Sequence, residues 1–349
     1  MKVKLFIATV DVLYAKLISD NISEHHAGKI EVSTCSTPEG LNDAISKQKN
    51  DVALIDAVLI EYADISRVKL PLLLWSETDT DKALPDGPEK INKHQRISSI
   101  VASILEQFAK VSGNSYSADS KQARITAVWS PAGGVGKTSV SLAYALSCAA
   151  EDKEVFYLSL ENFVSTSCYL SGNGKSISTA FEMLEKHDGN LKMLIQGVSC
   201  KDKGITFLCA PENYDDMCIL SCENVRELVT TCAELSDELV IDLSSACDPR
   251  VREVFELTDN VLLVTDPSPV TCTKLTQFIT QNNVFENIKE KVTLVANKGA
   301  IIHEAVTNSM ISLPLIQSND TNEVCRALSK TASINCSSNI SQVQTTFPV

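Results

Sequence analysis

The chain has 349 residues, 44% of them hydrophobic, and a formal net charge of −13. This length predicts two domains or three, and the negative charge argues against nucleic-acid binding, which requires a basic surface. No apolar run approaches the roughly 18 residues that a membrane helix needs, so we expect a cytoplasmic protein without a direct membrane anchor. The twelve cysteines have irregular spacing, with no Cys-x-x-Cys pair, and predict small, reduced, buried side chains, with a metal or redox site as the alternative.

The first part of the chain alternates predicted strands and helices. The predicted strands are Val3–Ala8, Lys29–Val32, Asp51–Ile55 and Leu70–Trp75. The predicted helices are Val12–Ile22, Leu41–Gln48 and Ile97–Phe108. Continuous apolar strands separated by helices indicate a parallel sheet that is covered on both faces. We therefore expect an α/β domain over residues 1–110.

A polar stretch of small residues over 111–123 lacks an apolar period and predicts a linker. Beyond it, residues 124–330 predict a larger doubly wound α/β domain. Its predicted strands are Ile125–Trp129, Val155–Leu160, Ile205–Leu208, Leu239–Ile241, Val261–Val264 and Val292–Ala296. Its predicted helices include Thr138–Ala150, Val225–Glu234 and Cys272–Gln281. The polar end, 331–349, predicts a loosely held tail.

A glycine-rich turn lies between the strand Ile125–Trp129 and the helix that follows it. Its sequence is Ser130-Pro131-Ala132-Gly133-Gly134-Val135-Gly136-Lys137-Thr138. Glycines let the backbone wrap closely around phosphates, and the helix N-terminus adds partial positive charge. We predict a nucleotide site in which Lys137 reaches the β- and γ-phosphates and the Thr138 hydroxyl binds Mg²⁺. The predicted cofactor-binding residues of this loop are Gly133, Gly134, Val135, Gly136, Lys137, Thr138 and Ser139.

Two carboxylates follow predicted strands, at the strand ends where ligands of open α/β sheets bind. Asp242 ends the strand Leu239–Ile241 and is predicted to hold Mg²⁺ through a water molecule. Glu161 follows Val155–Leu160 and could orient an attacking water, with an exposed strand-end acid as the alternative. The predicted catalytic residues are therefore Lys137, Glu161 and Asp242, and the predicted metal-binding residues are Thr138 and Asp242.

The loop resembles the deviant P-loop of the ParA/MinD superfamily, which reads Gly-Lys-Gly-Gly-x-Gly-Lys-Thr. Pro131 replaces its first glycine and Ala132 replaces its signature lysine. The resemblance implies ATP as the nucleotide, a homodimer, and an asparagine, here Asn297, that reads adenine. It also implies a short final strand at Leu313–Leu315. In relatives the signature lysine contacts the partner subunit's nucleotide, so Ala132 implies weakened ATP-dependent dimerisation and hydrolysis.

The first domain resembles a degraded, flavodoxin-like response-regulator receiver. Asp56 ends the third strand, where receivers carry the phosphorylated aspartate, and Ser76 ends the fourth, at the position of the switch hydroxyl. Lys93 falls near the expected lysine, and Asp11 stands alone where receivers have an acidic pair. The resemblance implies a degenerate phosphoacceptor at Asp56. The alternative is a docking domain in which Asp56 is a structural carboxylate.

A receiver-like domain ahead of a deviant P-loop domain resembles the TadZ/CpaE family. This resemblance implies a localisation and assembly factor for a Flp-type (tad) pilus or related secretion apparatus, placed at the cell pole. Its partners would be a second copy and pilus-assembly components. We expect a nucleotide-regulated scaffold, and weak ATPase activity stays open as an alternative to none.

Three other functions are weighed against this interpretation. A ParA-like partitioning ATPase requires a basic surface for DNA. A MinD-like positioning ATPase carries a C-terminal amphipathic basic helix, a pattern that residues 337–349 lack. A redox or iron–sulfur reductase of the same superfamily would use cysteines across a dimer, and Cys247, soon after Asp242, keeps that alternative open.

Overall fold

The computed structural model describes residues 2–27, 29–47, 50–76, 87–112, 123–172, 174–186, 189–281, 283–300, 309–331 and 334. The chain divides into two compact units. The first contains Met1–Ser115 and Asp188–Val198, and the second contains Tyr116–His187 and Ser199–Val349. Most of the predicted linker at 111–123 and of the predicted tail at 331–349 lies outside the described residues.

The first unit is built on a five-stranded parallel sheet. Its strands are β1 (Val3–Ala8), β2 (Ile30–Cys35), β3 (Val52–Asp56), β4 (Leu70–Trp75) and β5 (Glu89–Asn92). Its first three helices are α1 (Val12–His25), α2 (Pro38–Lys47) and α3 (Ile97–Val111). The strand order is β2-β1-β3-β4-β5, a common doubly wound arrangement. The predicted parallel α/β architecture is confirmed for this unit.

Buried side chains of the first unit fill both faces of its sheet. Because successive strand residues point to opposite faces, Leu5 and Ile7 pack in the cluster that includes α1 and α3 residues. Phe6 packs on the other face with Leu41 and Ile45 of α2. The central strands therefore have no solvated face, which explains their continuous apolar sequences.

The second unit contains an eight-stranded sheet of order β13-β12-β11-β6-β10-β7-β9-β8. Its strands are β6 (Arg124–Trp129), β7 (Val155–Leu160), β8 (Cys200–Asp202), β9 (Ile205–Phe207), β10 (Glu238–Leu243), β11 (Asn260–Thr265), β12 (Val292–Ala296) and β13 (Ser309–Ser312). Its helices are α4 (Lys137–Ala150), α5 (Ser178–Lys186), α7 (Asp216–Ile219), α8 (Cys222–Ala233), α9 (Pro249–Leu257), α10 (Pro269–Gln281), α11 (Asn283–Ile288) and α12 (Thr321–Ser329). All strand pairs are parallel except β8 with β9.

The final strand of this sheet differs from the prediction. The residues Leu313–Leu315 lie beyond β13, and the Leu313 N–H donates to the Ala296 carbonyl at 2.8 Å. Pro314 has no N–H for a ladder, so regular pairing ends before it. The short strands β5 and β8 were not predicted, since each offers too few apolar residues to show a period.

One helix from the second half of the sequence belongs to the first unit. This helix, α6 (Leu191–Val198), buries Leu194 and Ile195. The Asn190 N–H ahead of it donates to the Ala109 carbonyl of α3 at 2.8 Å. A Cβ atom on Gly197 would lie 2.6 Å from the Leu105 Cβ atom. Close approach of α3 and α6 therefore requires a glycine at this position.

We expect Gly197→Ala to destabilise the first unit. Alanine favours a helix over glycine by about 1 kcal/mol, but overlap with buried Leu105 costs about 1–3 kcal/mol. The measurement is urea unfolding of the full chain. In a Leu105→Gly background the clashing Cβ atom is absent, so the same substitution should there destabilise less than it does in the wild type. A single variant as stable as the wild type would contradict close packing of α3 on α6.

No helix in the described part of the chain has the length and apolarity needed to cross a bilayer.

Candidate functional site

The carboxyl ends of the parallel strands of the second unit meet at one edge of its sheet. Strand β6 lies between β10 and β11, and β7 lies beside β10. Because these strands are parallel, the loops that follow β6, β7, β10, β11 and β12 lie at the same edge of the sheet. This edge brings together Lys137, Thr138, Glu161 and Asp242, the residues that the sequence analysis selected.

The loop between β6 and α4 has the backbone that its glycines permit. Gly134 has φ +75° and Gly136, the N-cap of α4, has φ +94°. Residues other than glycine rarely adopt this left-handed backbone conformation. The Ala132 N–H donates to the Ser130 hydroxyl at 3.2 Å. The turn thus delivers Lys137 and Thr138 as the first residues of α4.

Two side chains after β12 brace this loop. The Asn297 Nδ2 donates to the Val135 carbonyl at 2.8 Å, and Asn297 is buried. The Lys298 Nζ donates to the Gly134 carbonyl at 2.7 Å and to Asp266 Oδ2 at 3.0 Å. The adenine-reading role of Asn297 stays a prediction. Lys298 and Asp266 were not selected from the sequence.

The Lys137 ammonium group contacts two side chains at the same edge of the sheet. Its side chain is 7% exposed, its Nζ donates to the Ser245 hydroxyl at 3.1 Å, and it lies 3.6 Å from Glu161 Oε1. A buried ammonium group requires such partners. Phosphate oxygens would compete with them for the same three donor hydrogens.

Asp242 is the most deeply buried carboxylate of this edge. Its Oδ2 accepts from the Tyr157 hydroxyl at 2.9 Å, while its Oδ1 has no partner among the described residues. Burial, followed by the charge of Glu161, raises the pKa of Asp242 to about 7, against the opposing effects of Thr138, Tyr157 and Lys137. Burial also raises the pKa of Tyr157 well above its usual range, so the phenol stays a donor to Asp242.

The donor set at this point fits a hard divalent cation. The Thr138 hydroxyl donates to Glu161 Oε2 at 3.3 Å, and the same hydroxyl also interacts with the Asp242 carboxyl group. Mg²⁺ prefers oxygen ligands and commonly uses one or two carboxylates together with substrate phosphates. In the described part of the chain, no group of three or more His, Cys, Asp or Glu side chains could hold a metal. Cys247, half-buried with a thiol pKa that desolvation raises, lies in no such group there.

Asp242→Asn is expected to remove the effect of Mg²⁺ on ATP binding, because the amide cannot supply a charged oxygen. Affinity in the presence of Mg²⁺ should fall by about tenfold or more, or about 1.4 kcal/mol, while affinity in a chelator should stay close to that of the wild type. Asp266→Asn removes the same charge from the same sheet edge and should keep the Mg²⁺ response. Isothermal titration calorimetry with and without Mg²⁺ checks this, and an unchanged response in Asp242→Asn would exclude Asp242 from the metal site.

Several predicted residues have contacts that the sequence did not suggest. Ala132 is 2% exposed and packs with Val135 in the core of the unit. The position of the signature lysine thus carries a small core side chain. The Ser139 hydroxyl shares a hydrogen bond with the Tyr169 hydroxyl at 3.0 Å. Binding of nucleotide by Ser139 stays a prediction.

A second polar cluster lies in the first unit around Asp56. Buried Asp56 accepts from the Thr9 hydroxyl at 2.7 Å and lies 3.6 Å from the Lys93 Nζ. Lys93 also lies 3.8 Å from Asp11, and Ser76 is buried after β4. The structure brings Asp11, Asp56 and Lys93 together and adds Thr9, which sequence reasoning missed. Phosphorylation of Asp56 stays a prediction.

Comparison with known proteins finds similarity to solved structures alone. No protein-family model matches the chain, and no curated protein matches it. A ParA family ATPase from Chlorobium tepidum TLS is 20% identical, covering 60% of this chain and 92% of its own, with a TM-score of 0.49. The septum site-determining protein MinD complexed with Mg-ADP from Pyrococcus horikoshii OT3 is 13% identical, covering 59% and 94%, with a TM-score of 0.47. A putative plasmid partition protein bound to AMPPNP from Borrelia burgdorferi B31 is 12% identical, covering 60% and 97%, with a TM-score of 0.39. At these identities and scores the likenesses assign no ligand or activity to this chain.

Proposed function

We propose that the second unit binds ATP with Mg²⁺ and uses it as a regulatory ligand. The observation that carries this proposal is the convergence of Lys137, Thr138, Glu161 and Asp242 beside a loop with two left-handed glycines. A glycine-rich turn at a helix N-terminus presents backbone N–H groups to anions. The four side chains add the cation and the oxygen ligands that a metal-bound triphosphate requires.

Each of these residues has a distinct role in the proposed complex. Lys137 would exchange its contacts with Ser245 and Glu161 for phosphate oxygens. Thr138 and Asp242 would hold Mg²⁺, which neutralises phosphate charge when bound. The remaining predicted contacts are those of Gly133, Gly134, Val135, Gly136 and Ser139 with phosphate, and of Asn297 with adenine.

We propose that hydrolysis is weak or absent. Ala132, at the position of the signature lysine, supplies no cation. Transition-state charge on the transferred phosphoryl group would therefore be stabilised by Lys137, the metal and the loop N–H groups, without a second cation from position 132.

In the cell, we propose a role as a localisation and assembly factor of a Flp-type pilus or related secretion apparatus. The support is the resemblance of the loop and of the two-domain organisation to the TadZ/CpaE family. Partners would be a second copy and pilus-assembly components, at a cytoplasmic and polar location. ParA-like partitioning and MinD-like positioning are the alternatives.

The first unit is proposed as a receiver-like docking domain. Its support is the 2-1-3-4-5 strand order together with Asp56 at the end of β3. The contacts of Asp56 with Thr9 and Lys93 favour a structural carboxylate, because they already engage its Oδ2.

The test is a set of measurements on the purified full chain. Calorimetry should show ATP binding that Mg²⁺ strengthens, phosphate release should be near zero, and light scattering in the same samples should report any ATP-dependent dimer. Lack of ATP binding would sink the nucleotide proposal. Salt-sensitive DNA retention or ATP-dependent liposome binding would favour the ParA-like or MinD-like alternative over the pilus role.

A further inference from the structure

Two cysteine sulfurs lie side by side in the β8–β9 hairpin of the second unit. Cys200 begins β8, and Cys209 follows β9 by two residues. Their Sγ atoms are 3.9 Å apart, and both residues are partly exposed and reduced. In the antiparallel register Cys200 pairs with Phe207, so Cys209 is its diagonal neighbour on the same face of the hairpin.

The described loop residues 169–172 and 174–176 lie beside this pair. The Gly174 N–H donates to the Cys200 Sγ at 2.7 Å. A Cβ atom on Gly172 would lie 2.8 Å from the same sulfur. The glycines therefore let the backbone approach the sulfurs closely, and a backbone N–H there stabilises negative charge on sulfur.

The same surroundings favour the thiolate form at Cys209. The hydrogen bond from Cys200 lowers the pKa of the Cys209 thiol to about 6, against desolvation that raises it and with help from the Gly174 N–H. By contrast, burial raises the pKa of Cys325 to about 12 and that of Cys232 still further. Thiolates are the nucleophiles of thiol–disulfide chemistry, so these cysteines differ sharply in expected reactivity.

We propose that Cys200 and Cys209 form a redox-active dithiol that low-molecular-weight disulfides oxidise to an intramolecular disulfide. The Cys209 thiolate attacks one sulfur of the oxidant, forming a mixed disulfide and releasing one thiolate. Cys200 then loses its proton and attacks the Cys209 sulfur, which expels the second thiolate. The two cysteines lose two electrons and two protons in total, and the oxidant is reduced to two thiols.

The position of the two cysteines allows the disulfide bond to form. A disulfide bond is about 2.05 Å long, so the two sulfurs must approach each other further. Strand β8 has three residues and, in the described part of the chain, pairs with β9 alone at the edge of the sheet. Movement of so short an edge strand breaks few hydrogen bonds.

Oxidation would act on the loop that lies beside the pair. The hairpin holds this loop through Asp202, which accepts from the Ser171 N–H at 2.8 Å, and through Lys203, which donates to the Tyr169 carbonyl at 2.5 Å. Forming the disulfide converts the Cys200 sulfur, which accepts from the Gly174 N–H, into a disulfide sulfur drawn toward Cys209, and this weakens that hydrogen bond. We expect faster amide hydrogen exchange at Gly174 in the oxidised protein.

The test begins with the wild-type full chain under native conditions. Incubation with glutathione disulfide, followed by acid quenching, alkylation and peptide mapping, should show a Cys200–Cys209 cross-link, with Cys232 and Cys325 remaining alkylatable after denaturation. Without any variant, Cys209 should react with a maleimide faster than the exposed Cys272. Dithiothreitol should reverse the cross-link.

Serine variants separate the two roles. Cys200→Ser should accumulate a stable mixed disulfide with glutathione at Cys209, because the resolving thiol is missing. Cys209→Ser should react more slowly at Cys200 and form no cross-link, and Cys272→Ser should behave as the wild type. The proposal is overturned if exposed cysteines are modified while Cys200 and Cys209 remain separate thiols, if Cys209 pairs elsewhere, or if the wild-type Cys209 reacts no faster than Cys272.

Discussion

Replacing Lys137 with alanine is expected to weaken ATP binding by about 100-fold or more. A charge-assisted hydrogen bond contributes about 1.5–3 kcal/mol, and 1.4 kcal/mol is a factor of ten. Lys137 is nearly buried, so its charge acts where water screens it little. Its loss also leaves Glu161 without its cation. Calorimetry with Mg²⁺-ATP measures the effect.

The control for this variant is Lys153→Ala. Lys153 pairs with Glu151 after the far end of α4 and carries the same charge as Lys137. It should bind ATP as the wild type does, and both variants should retain the wild-type circular dichroism spectrum. Retained ATP affinity in a folded Lys137→Ala protein would mean that the loop does not hold phosphate in the proposed way.

Gly136→Ala is expected to be the most damaging single methyl addition in the loop. A non-glycine residue at φ +94° is strained by about 1–3 kcal/mol. The added Cβ would also lie 2.6 Å from the Asn297 Nδ2, which donates to the Val135 carbonyl. Backbone strain and loss of the Asn297–Val135 hydrogen bond both destabilise the variant. Its free energy of unfolding should therefore fall by about 2 kcal/mol or more, and ATP binding should be lost.

Gly133→Ala is the matched comparison in the same loop. A Cβ on Gly133 meets no atom within 4 Å, and its φ is not positive. Its free energy of unfolding should stay within about 0.5 kcal/mol of the wild type. Urea unfolding of the two variants side by side measures the difference. Equal stabilities would show that the loop does not need the left-handed conformation at Gly136.

Much of the candidate site could be predicted because parallel topology imposes it. Once β6, β7 and β10 are recognised as neighbouring parallel strands, their carboxyl ends must meet, and Lys137, Glu161 and Asp242 meet with them. The glycine spacing similarly indicates the loop conformation. Local patterns of this kind are carried by the sequence alone.

The contacts that escaped prediction depend on long-range packing. The Asn297 side chain braces the loop from a strand that is more than a hundred residues away in sequence, and no periodicity reveals that bond. Thr9 reaches Asp56 from a different strand in the same way. The glycine of α6 could not be assigned to a contact with Leu105 because its partner helix lies in an earlier part of the chain.

Residues 188–198 belong to the first unit, although the segments on either side of them belong to the second unit. The chain passes between the units three times, and α6 is encoded inside the gene segment of the second unit. A single recombination event near residue 115 would transfer a first unit without α6, leaving bare the part of α3 around Leu105. A first unit made of residues 1–115 alone is therefore expected to be less stable than one that also carries α6.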